Sequence, residues 1–344
     1  MKKIITCLTI CGLLGTSLLS SGFKFKFSFF NKKQMPAIEI IQNAENNKNS
    51  TWCVTFQLVW NDFMDKFANG NPIKLVGGNP PIADELNKRL YTTDIISPNS
   101  YYKVQGEINS KLKKEIEKSI KQKFNEKSDI LDMIDWKAKD AYLFYVMLKK
   151  EFTFNKPFDI LEPQPFNNSK ENVKYFGIKS FSDEEIKNNV KVLFYNKDEY
   201  AVKLLTKENE EVILLKTSKN KDFATLYDYV TLKTKHENLA PNDTLKIPNI
   251  VINKIISYDE LCGKQIEGTN KKISKALQSI KFNLDNKGGS LKSEALMGVV
   301  RMSIAPEVSR HFNFDSNFVL FLKEEGKDKP YFATRIENLE YLVK

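Results

Sequence analysis

Near the carboxyl end of the chain, residues 286–308 read Asn-Lys-Gly-Gly-Ser-Leu-Lys-Ser-Glu-Ala-Leu-Met-Gly-Val-Val-Arg-Met-Ser-Ile-Ala-Pro-Glu-Val. Successive side chains of an extended strand point to opposite faces, so every second residue shares a face. Lys292 and Glu294 lie on the same face. The opposite face carries no charge and consists of Gly289, Leu291, Ser293, Ala295 and Met297. Because burying an unpaired charge is costly, this periodicity predicts a strand with one face that can be buried.

Short apolar runs separated by charged turns follow one another from residue 141 to the end of the chain. Residues 142–148 form a continuous apolar run, which predicts a strand buried on both faces. No repeat period is visible, which argues against a solenoid or a propeller. The other predicted strands are residues 190–194, 200–205, 211–215, 245–252, 280–284, 318–322 and 331–336.

The amino-terminal half contains three predicted helices. In residues 107–127, Ile108, Leu112, Ile116, Ile120 and Phe124 recur every four residues and form one apolar stripe. We interpret this segment as an amphipathic helix lying on a sheet with its lysine-rich face in water; a polyanion site is the alternative. Residues 51–68 fit both a strand and a helix, and we predict the helix. A short helix is predicted over residues 84–90.

Residues 1–22 have the composition of an export signal. Lys2 and Lys3 precede an apolar stretch over residues 4–19, and Ser20, Ser21 and Gly22 supply the small residues that a signal peptidase accepts. An uncleaved anchor is the alternative. Residues 23–50 are interpreted as a linker whose phenylalanines suggest contact with a membrane surface. We expect one folded domain over residues 51–344.

The composition narrows the range of partners. The formal net charge is +10 at pH 7, a balance that often indicates a nucleic-acid partner. Lysine is interspersed with Asp and Glu, however, and an exported protein rarely meets nucleic acid, so we expect no such partner. After removal of the signal, Cys53 and Cys262 would remain. Export permits a disulfide between them, and two separate buried thiols are the other interpretation.

Motifs of known enzyme classes are missing from the sequence. Its two histidines, His236 and His311, have no Cys or Ser motif nearby. There is no Gly-x-Ser-x-Gly elbow, no His-Glu-x-x-His and no dinucleotide-binding fingerprint. No cysteine spacing suits zinc. We therefore expect no enzymatic activity, no metal and no cofactor.

Three separated segments resemble the serpin family of protease inhibitors. In the first, the apolar run at residues 142–148 leads to Phe154-Asn155-Lys156-Pro157-Phe158, which is similar to the family's strand ending in an aromatic residue and Pro-Phe; residues 173–178 and 190–215 continue this pattern. In the second, Leu245-Lys246-Ile247-Pro248-Asn249-Ile250 is similar to the family's Leu-Pro-Lys-Phe strand. Tyr258-Asp259-Glu260-Leu261 resembles the helix start that follows it.

The third segment is the most specific. Residues 273–285 resemble the strand leading into the family's reactive loop, and Asn286-Lys287-Gly288-Gly289 resembles its hinge. Met302-Ser303-Ile304-Ala305-Pro306-Glu307-Val308 resembles the scissile region of antitrypsin-type members. Met302 lies 14 residues after Gly288, as a loop of inhibitory length requires. Residues 312–314, 318–322 and 331–336 are similar to the closing strands.

The resemblance covers residues from about 107 to the carboxyl end. It implies an α+β, serpin-like fold with mixed and antiparallel sheets, several packed helices and an exposed reactive loop. The chain is identified as a bacterial member with a diverged amino-terminal part. Tyr145 and Gln278 depart from the pattern, because Asn and His are usual there in the central polar cluster beneath the family's main sheet. The implied hinge is Gly288, Gly289, Ser290 and Leu291.

The resemblance implies an exported, monomeric inhibitor that is cleaved between Met302 and Ser303. The cleaved loop then inserts as a strand into the main sheet and drags the acylated protease along. The expected partner is an elastase-like serine protease; a one-residue shift in register would make Arg301 the specificity residue and the target trypsin-like. Gly289, Leu291 and Lys292 differ from inhibitory hinges. A non-inhibitory serpin-fold binding protein at the cell surface is therefore the alternative.

Overall fold

The computed structural model describes residues 48–289 and 309–344, which form a seven-stranded sheet, a four-stranded sheet, three strand pairs and several helices. The predicted reactive-loop residues 290–308 and the predicted export signal lie outside this range. In chain order the elements are β1 (Ser50–Cys53), α1 (Thr55–Ala68), α2 (Pro81–Asn87), β2 (Tyr101–Glu107), α3 (Ser110–Phe124), β3 (Tyr142–Leu148), β4 (Phe152–Thr153), β5 (Asp159–Pro165), β6 (Asn172–Ile178), α4 (Glu184–Lys187), β7 (Val190–Asn196), β8 (Glu199–Leu205), β9 (Glu210–Lys216), α5 (Phe223–Lys233), β10 (Glu237–Asn238), β11 (Thr244–Pro248), β12 (Ile250–Ser257), β13 (Leu277–Leu284), β14 (Gly288–Gly289), β15 (His311–Asn313), β16 (Phe318–Glu324) and β17 (Phe332–Ile336).

The seven-stranded sheet forms the centre of the core. Its strand order is β1-β17-β16-β9-β8-β7-β10, and every neighbouring pair is antiparallel. All residues of β16 and β17 are buried, which suits their mainly apolar sequences, and the burial extends to the charged residues Lys323, Glu324 and Arg335. The strands predicted over residues 190–194, 200–205, 211–215, 318–322 and 331–336 are confirmed as members of this sheet.

The predicted strand over residues 245–252 is two strands. β11 belongs to the four-stranded sheet β15-β11-β6-β5, whereas β12 pairs with β13. Pro248 has no backbone N–H to continue a ladder. At Asn249 the backbone N–H instead donates to the carbonyl oxygen of Lys174 at 2.9 Å. The chain therefore changes sheets at this point.

Helix α1 confirms the helical interpretation of residues 51–68 from Thr55 onward, while residues 51–53 belong to β1. The helix ends at Asn69, whose left-handed φ of 51° closes its last turn. The short helix predicted over residues 84–90 begins earlier, with Pro81 in its first turn, and ends at Asn87.

Helix α3 confirms the amphipathic helix, with shorter limits than predicted. Asn109 caps it by accepting from the backbone N–H of Leu112 at 2.9 Å, and residue 107 belongs to β2 instead. The apolar stripe packs on the β2–β3 pair, as expected for a helix lying on a sheet. The residues in this contact are Leu112, Ile116, Ile120 and Phe124 of α3 and Tyr102, Val104, Leu143, Tyr145 and Met147 of the strands.

Two local predictions are wrong. In β3 only Tyr145 is fully buried, because one edge of the strand borders an open cleft and the other residues are half-buried. Residues 258–261 form a turn rather than a helix start: the N–H of Leu261 bonds to Tyr258, and the N–H of Cys262 bonds to Asp259. Cys53 and Cys262 are both free thiols, so the disulfide alternative is not realised.

Close packing of β6 against β11 gives a direct test of this architecture. A Cβ atom at Gly177 would lie 1.8 Å from the carbonyl oxygen of Leu245, so we expect Gly177→Ala to lower the free energy of unfolding by about 3 kcal/mol. Gly106→Ala is the control, because its Cβ would meet only Leu112 side-chain atoms at 3.4 Å. Chemical denaturation measures both. Equal stability of the two variants would contradict the β6–β11 pairing.

Candidate functional site

A cleft of about 1100 Å³ lies between β3 and β13. In the described part of the chain, β3 pairs with β2 and β13 pairs with β12, and these two strand pairs form separate sheets. β3 and β13 line the cleft, whereas β2 and β12 contribute no lining residue within residues 48–289 and 309–344. Along the cleft, the two facing strand edges therefore have no strand partner among the residues that the structure describes.

The floor of the cleft is apolar and aromatic. Helix α1 supplies Phe56, Trp60, Phe63 and Phe67 to the lining, and Phe63 and Phe67 contact Phe144 of β3 edge to face. Alternate residues of β3 face this floor, because Phe144, Val146 and Leu148 pack on the large core while their neighbours face α3. An occupant of the cleft would thus bury one of its faces against this apolar floor.

The chain reverses direction at the top of the cleft. Asp285 and Gly288 exchange backbone hydrogen bonds of 3.0 and 3.3 Å, which close a tight turn after β13. Gly288 and Gly289 then pair antiparallel with Thr153 and Phe152 of β4. Gly289 itself lines the cleft. The last residue described before position 290 therefore lies between the two strand edges.

Only glycine fits at position 288, directly after the turn that follows β13. Gly288 has a φ of +139°, and a Cβ there would lie 2.3 Å from the carbonyl oxygen of Phe152. At Gly289 a Cβ would meet the Phe152 ring at 2.9 Å. Close approach of the β4 backbone therefore explains glycine at position 288, and the Phe152 side chain limits the space at position 289.

Gln278 forms a buried polar cluster beside the cleft. Its Nε2 donates to the Thr55 hydroxyl at 2.7 Å and to the carbonyl oxygen of Cys53 at 3.0 Å, and the Tyr258 hydroxyl donates to its Oε1 at 2.6 Å. Burial raises the pKa of Tyr258, which keeps this hydroxyl protonated as a donor. Tyr145, the other departure noted in the sequence, is not part of this cluster and packs with α3.

Lys150 anchors the upper end of β3 to the central sheet. Its ammonium group lies 2.5 Å from Glu210 and also contacts Glu324, and the Tyr331 hydroxyl donates to Glu210 at 2.8 Å. Burial raises the pKa of Glu210, opposed by the nearby Lys150. Sequence reasoning missed this cluster. Counting every second residue from Phe144 would have placed Lys150 on the inward face and signalled a buried lysine that needs a partner.

The structure thus describes two of the predicted site residues. Gly288 and Gly289 stand at the top of the cleft, whereas Ser290, Leu291, Arg301, Met302 and Ser303 lie outside the described residues. No cluster of three or more His, Cys, Asp or Glu side chains in the described segments is arranged to hold a metal ion. Nor does any helix within these segments have the length and apolar character needed to cross a membrane.

Comparison with solved structures identifies the fold. The complex of thyroxine-binding globulin with thyroxine matches with a TM-score of 0.52 and 10% identity, over 87% of this chain and 94% of that chain. Serpin48, described as a highly specific serpin of the insect Tenebrio molitor, matches with a TM-score of 0.48 and 11% identity. This match covers 85% of this chain and 92% of that chain. No protein-family model and no curated protein matches the chain. The α+β, serpin-like fold predicted from the sequence is confirmed.

Removing Lys150 should destabilise the protein in a pH-dependent way. In Lys150→Met the carboxyls of Glu210 and Glu324 lose the cation that pairs with them. We therefore expect the free energy of unfolding at pH 7.5 to fall by about 3–5 kcal/mol. A carboxyl with a raised folded pKa stabilises the fold at low pH and loses that contribution as the pH rises. The difference in free energy of unfolding between Lys150→Met and the unmodified chain should therefore become smaller toward pH 4.5.

The free energy of unfolding, measured at both pH values, checks this expectation. The matched control is Lys156→Met, which removes a surface pair with Glu185 and should cost less than about 1 kcal/mol. A deficit in Lys150→Met of the same size at both pH values would contradict a buried carboxyl cluster.

Proposed function

We propose that this chain is a serpin-type inhibitor of serine proteases, in which cleavage between Met302 and Ser303 lets the preceding loop enter the cleft as a strand. The observation that carries the proposal is the pair of facing edges of β3 and β13, which no strand of residues 48–289 and 309–344 pairs along the cleft, with the chain turned between them at Gly289. The proposed molecule acts as a substrate that traps its protease and has no enzymatic activity of its own.

A strand is the occupant that suits this cleft. Unpaired backbone N–H and C=O groups away from water are costly, and a strand between two edges can bond to both of them. A small apolar ligand would cover the floor and leave both edges unpaired. The alternation of residues 289–297 supplies a strand whose charged side chains all lie on one face.

Extending the strand pairing of Gly288 and Gly289 along the loop indicates which face of an inserted loop would be buried. Extending the pairing of Gly289 with Phe152 by six residues on each strand sets Ala295 opposite Val146, which faces the core. Extending the pairing of Asp285 with Gly288 by seven residues sets Ala295 opposite Gln278, which is also buried. Continued from either edge, this pairing would turn the uncharged face of an inserted loop inward and Lys292 and Glu294 outward.

The far end of the loop explains why cleavage would be needed. Arg310 donates to Asp243 from its backbone N–H at 2.8 Å and from its guanidinium at 2.8 and 3.0 Å, and Asp243 is fully buried. Breaking such a pair leaves an uncompensated buried charge. With Arg310 fixed and Gly289 fixed, residues between them are tethered at both ends. Cleavage after Met302 releases one end.

The partner and the location follow from the sequence. Met302 in the specificity position suits a protease with an apolar, elastase-like pocket, and Arg301 would suit a trypsin-like one. We propose export through residues 1–22, which matches a partner outside the cytoplasm. Monomeric action is part of the proposal, since one loop and one cleft belong to the same chain.

A non-inhibitory binding protein at the cell surface is the second candidate. The observation that favours it is the hinge sequence, because Leu291 would have to pass into the cleft beside Phe282, which is half-buried. Slow entry would let the protease complete hydrolysis. The similar fold of thyroxine-binding globulin, whose solved complex holds thyroxine, is compatible with this candidate.

A panel of elastase and trypsin distinguishes the two candidates. We expect an SDS-stable covalent complex with elastase, together with a rise in the melting temperature of the chain after loop cleavage, because an inserted strand pairs both open edges. Denaturing gels and calorimetry measure these outcomes. Clean cleavage with full recovery of protease activity and no rise in melting temperature would reject the inhibitor and favour the binding protein.

A pair of charge variants tests the register within the same experiment. Ala295→Glu would bring a carboxylate onto the inward face beside Gln278, so we expect cleavage to continue while the covalent complex is lost. Leu296→Glu is the matched control, because residue 296 faces outward and should still allow complex formation. Equal behaviour of the two variants would contradict the proposed insertion.

A further inference from the structure

We propose that the lower end of the cleft binds a long-chain fatty acid, with the acyl chain on the apolar floor and the carboxylate beside lysines at the rim. The lower end is the part bordered by Tyr142, where β3 begins, and by Lys275, which precedes β13. This inference goes beyond the proposed function, because it concerns what occupies the cleft before a strand enters and depends only on the cavity and its charges.

The cavity has the size and the enclosure that an acyl chain requires. Its volume of about 1100 Å³ exceeds the roughly 300–1,000 Å³ of most small-molecule sites. Helix α1 lines one face, β3 and β13 line the two sides, and the connection between α3 and β3 adds Ile130, Leu131 and Ile134. Leu131 packs on the face of β3 that points away from α1. Apolar side chains therefore lie above and below an occupant.

The floor is an elongated apolar strip. The cleft-lining residues of α1 are spaced three and four residues apart and so share one face of the helix; they are Phe56, Val59, Trp60, Phe63 and Phe67. From the first to the last of them the helix rises about 16 Å. Phe67 contacts Tyr142 edge to face, so the strip reaches the lower end of the cleft. An extended acyl chain covers such a strip along its length, whereas a compact ring would cover only part of it.

Two lysines at the lower end donate to backbone carbonyl groups. The ammonium group of Lys271 donates to the carbonyl oxygen of Asp140 at 3.0 Å, and that of Lys275 donates to the carbonyl oxygen of Met133. Neither lysine forms an ion pair with a carboxylate in residues 48–289 and 309–344. Because an ammonium group has three N–H donors, both lysines retain donors for an anionic group.

The same end of the cleft has a surplus of positive charge. Lys139 and Lys272 also line the cleft, are exposed, and pair with no carboxylate in the part of the chain that the structure describes. Together with the two lysines just described they make four cations at this end, whereas Asp135 and Asp140 supply two carboxylates. An amphiphile with an anionic end is therefore favoured over a neutral or a cationic one.

A fatty acid would occupy the cleft only until a strand enters. An acyl chain has no hydrogen-bonding groups, so the facing backbone edges of β3 and β13 gain no partner from it. A strand covers the same floor and also bonds to both edges, so it binds more strongly. The bound fatty acid therefore delays strand entry and does not prevent it.

Calorimetric titration of the full chain with laurate, myristate and palmitate tests the acyl-chain site. Each additional buried CH₂ should tighten binding by up to about fourfold. Methyl palmitate should bind at least about threefold more weakly than palmitate, and hexadecylamine more weakly still, because the ester removes the anionic end and the amine reverses its charge. No binding of palmitate, or equal affinity for all three head groups, overturns the proposal.

A pair of double variants tests the lysines. Lys139→Gln combined with Lys272→Gln removes exposed, unpaired charges, so we expect normal folding, an affinity for palmitate about threefold to tenfold lower, and no change for methyl palmitate. The matched control combines Lys111→Gln with Lys118→Gln, two exposed lysines of α3 outside the cleft lining, and should bind palmitate within about twofold of the unmodified chain. Equal weakening in both would show attraction to the overall positive charge and overturn the proposed carboxylate position.

Quenching of tryptophan fluorescence by brominated palmitate locates the acyl chain. Trp60 lines the cleft, whereas Trp52 and Trp136 do not. We expect Trp60→Phe to lose most of the quenching and to keep its affinity for palmitate. Quenching that persists in Trp60→Phe places the acyl chain outside the cleft and overturns the proposal.

A fluorescent synthetic peptide with the sequence of residues 289–302 separates this site from the proposed function. Palmitate at about ten times its Kd should slow uptake of the peptide by the full uncleaved chain about tenfold, because both need the same floor. Uptake at an unchanged rate overturns shared occupancy of the cleft. Absence of peptide uptake, with quenching of Trp60 retained, contradicts strand entry and supports the fatty-acid site.

Discussion

The unpaired backbone edges of β3 and β13 are the constraint on which the functional account depends. Backbone N–H and C=O groups in a protein require partners, and a sheet that is divided between two strand pairs leaves two rows of them facing each other. The Gly288–Gly289 segment satisfies the top of this gap by pairing with β4. Below Gly289, no strand within residues 48–289 and 309–344 pairs with either edge over the aromatic floor of α1.

Helix α1 and two sets of polar contacts hold β3 and β13 in position on either side of the cleft. Helix α1 lies beneath both strands, and its aromatic side chains contact β3. Lys150 ties the upper part of β3 to Glu210 and Glu324 of the central sheet, while Gln278 ties β13 to the start of α1 through Thr55. Polar contacts therefore hold each edge of an apolar cleft. Such contacts are directional and fix position, whereas apolar packing alone would let the edges slide.

Much of this fold could be predicted from the sequence, and the failures have physical causes. Runs rich in apolar residues predicted the strands of the central sheet, because buried strands contain few polar side chains. The strand over residues 142–148 was also predicted correctly, but its burial was overestimated, since the sequence does not show that one strand edge borders a cleft. The turn at residues 258–261 was misread as a helix start because the resemblance, and not a capping pattern, suggested it. Helix α5 was missed, although Asp222 accepts from the N–H of Thr225 as a typical cap.

In the candidate site, positions marked by a sequence motif could be predicted. Side chains whose role depends on tertiary contacts could not. The family resemblance singled out Gly288 and Gly289, and the structure shows a tight turn and close contacts with Phe152 at these two positions. Cys53 and Thr55, which accept from Gln278, and the Glu210 and Glu324 partners of Lys150 all lie at least 60 residues away in the chain, so spacing could not reveal them.

Hydrogen exchange of the backbone amides of β3 and β13, before and after cleavage of the loop at Met302, tests the central claim most directly. If the loop fills the cleft, amides on the two facing edges acquire partners, and their exchange slows by orders of magnitude while exchange in β8 and β9 stays constant. Unchanged or faster exchange on both edges after complete cleavage would show that the cleft does not accept the strand.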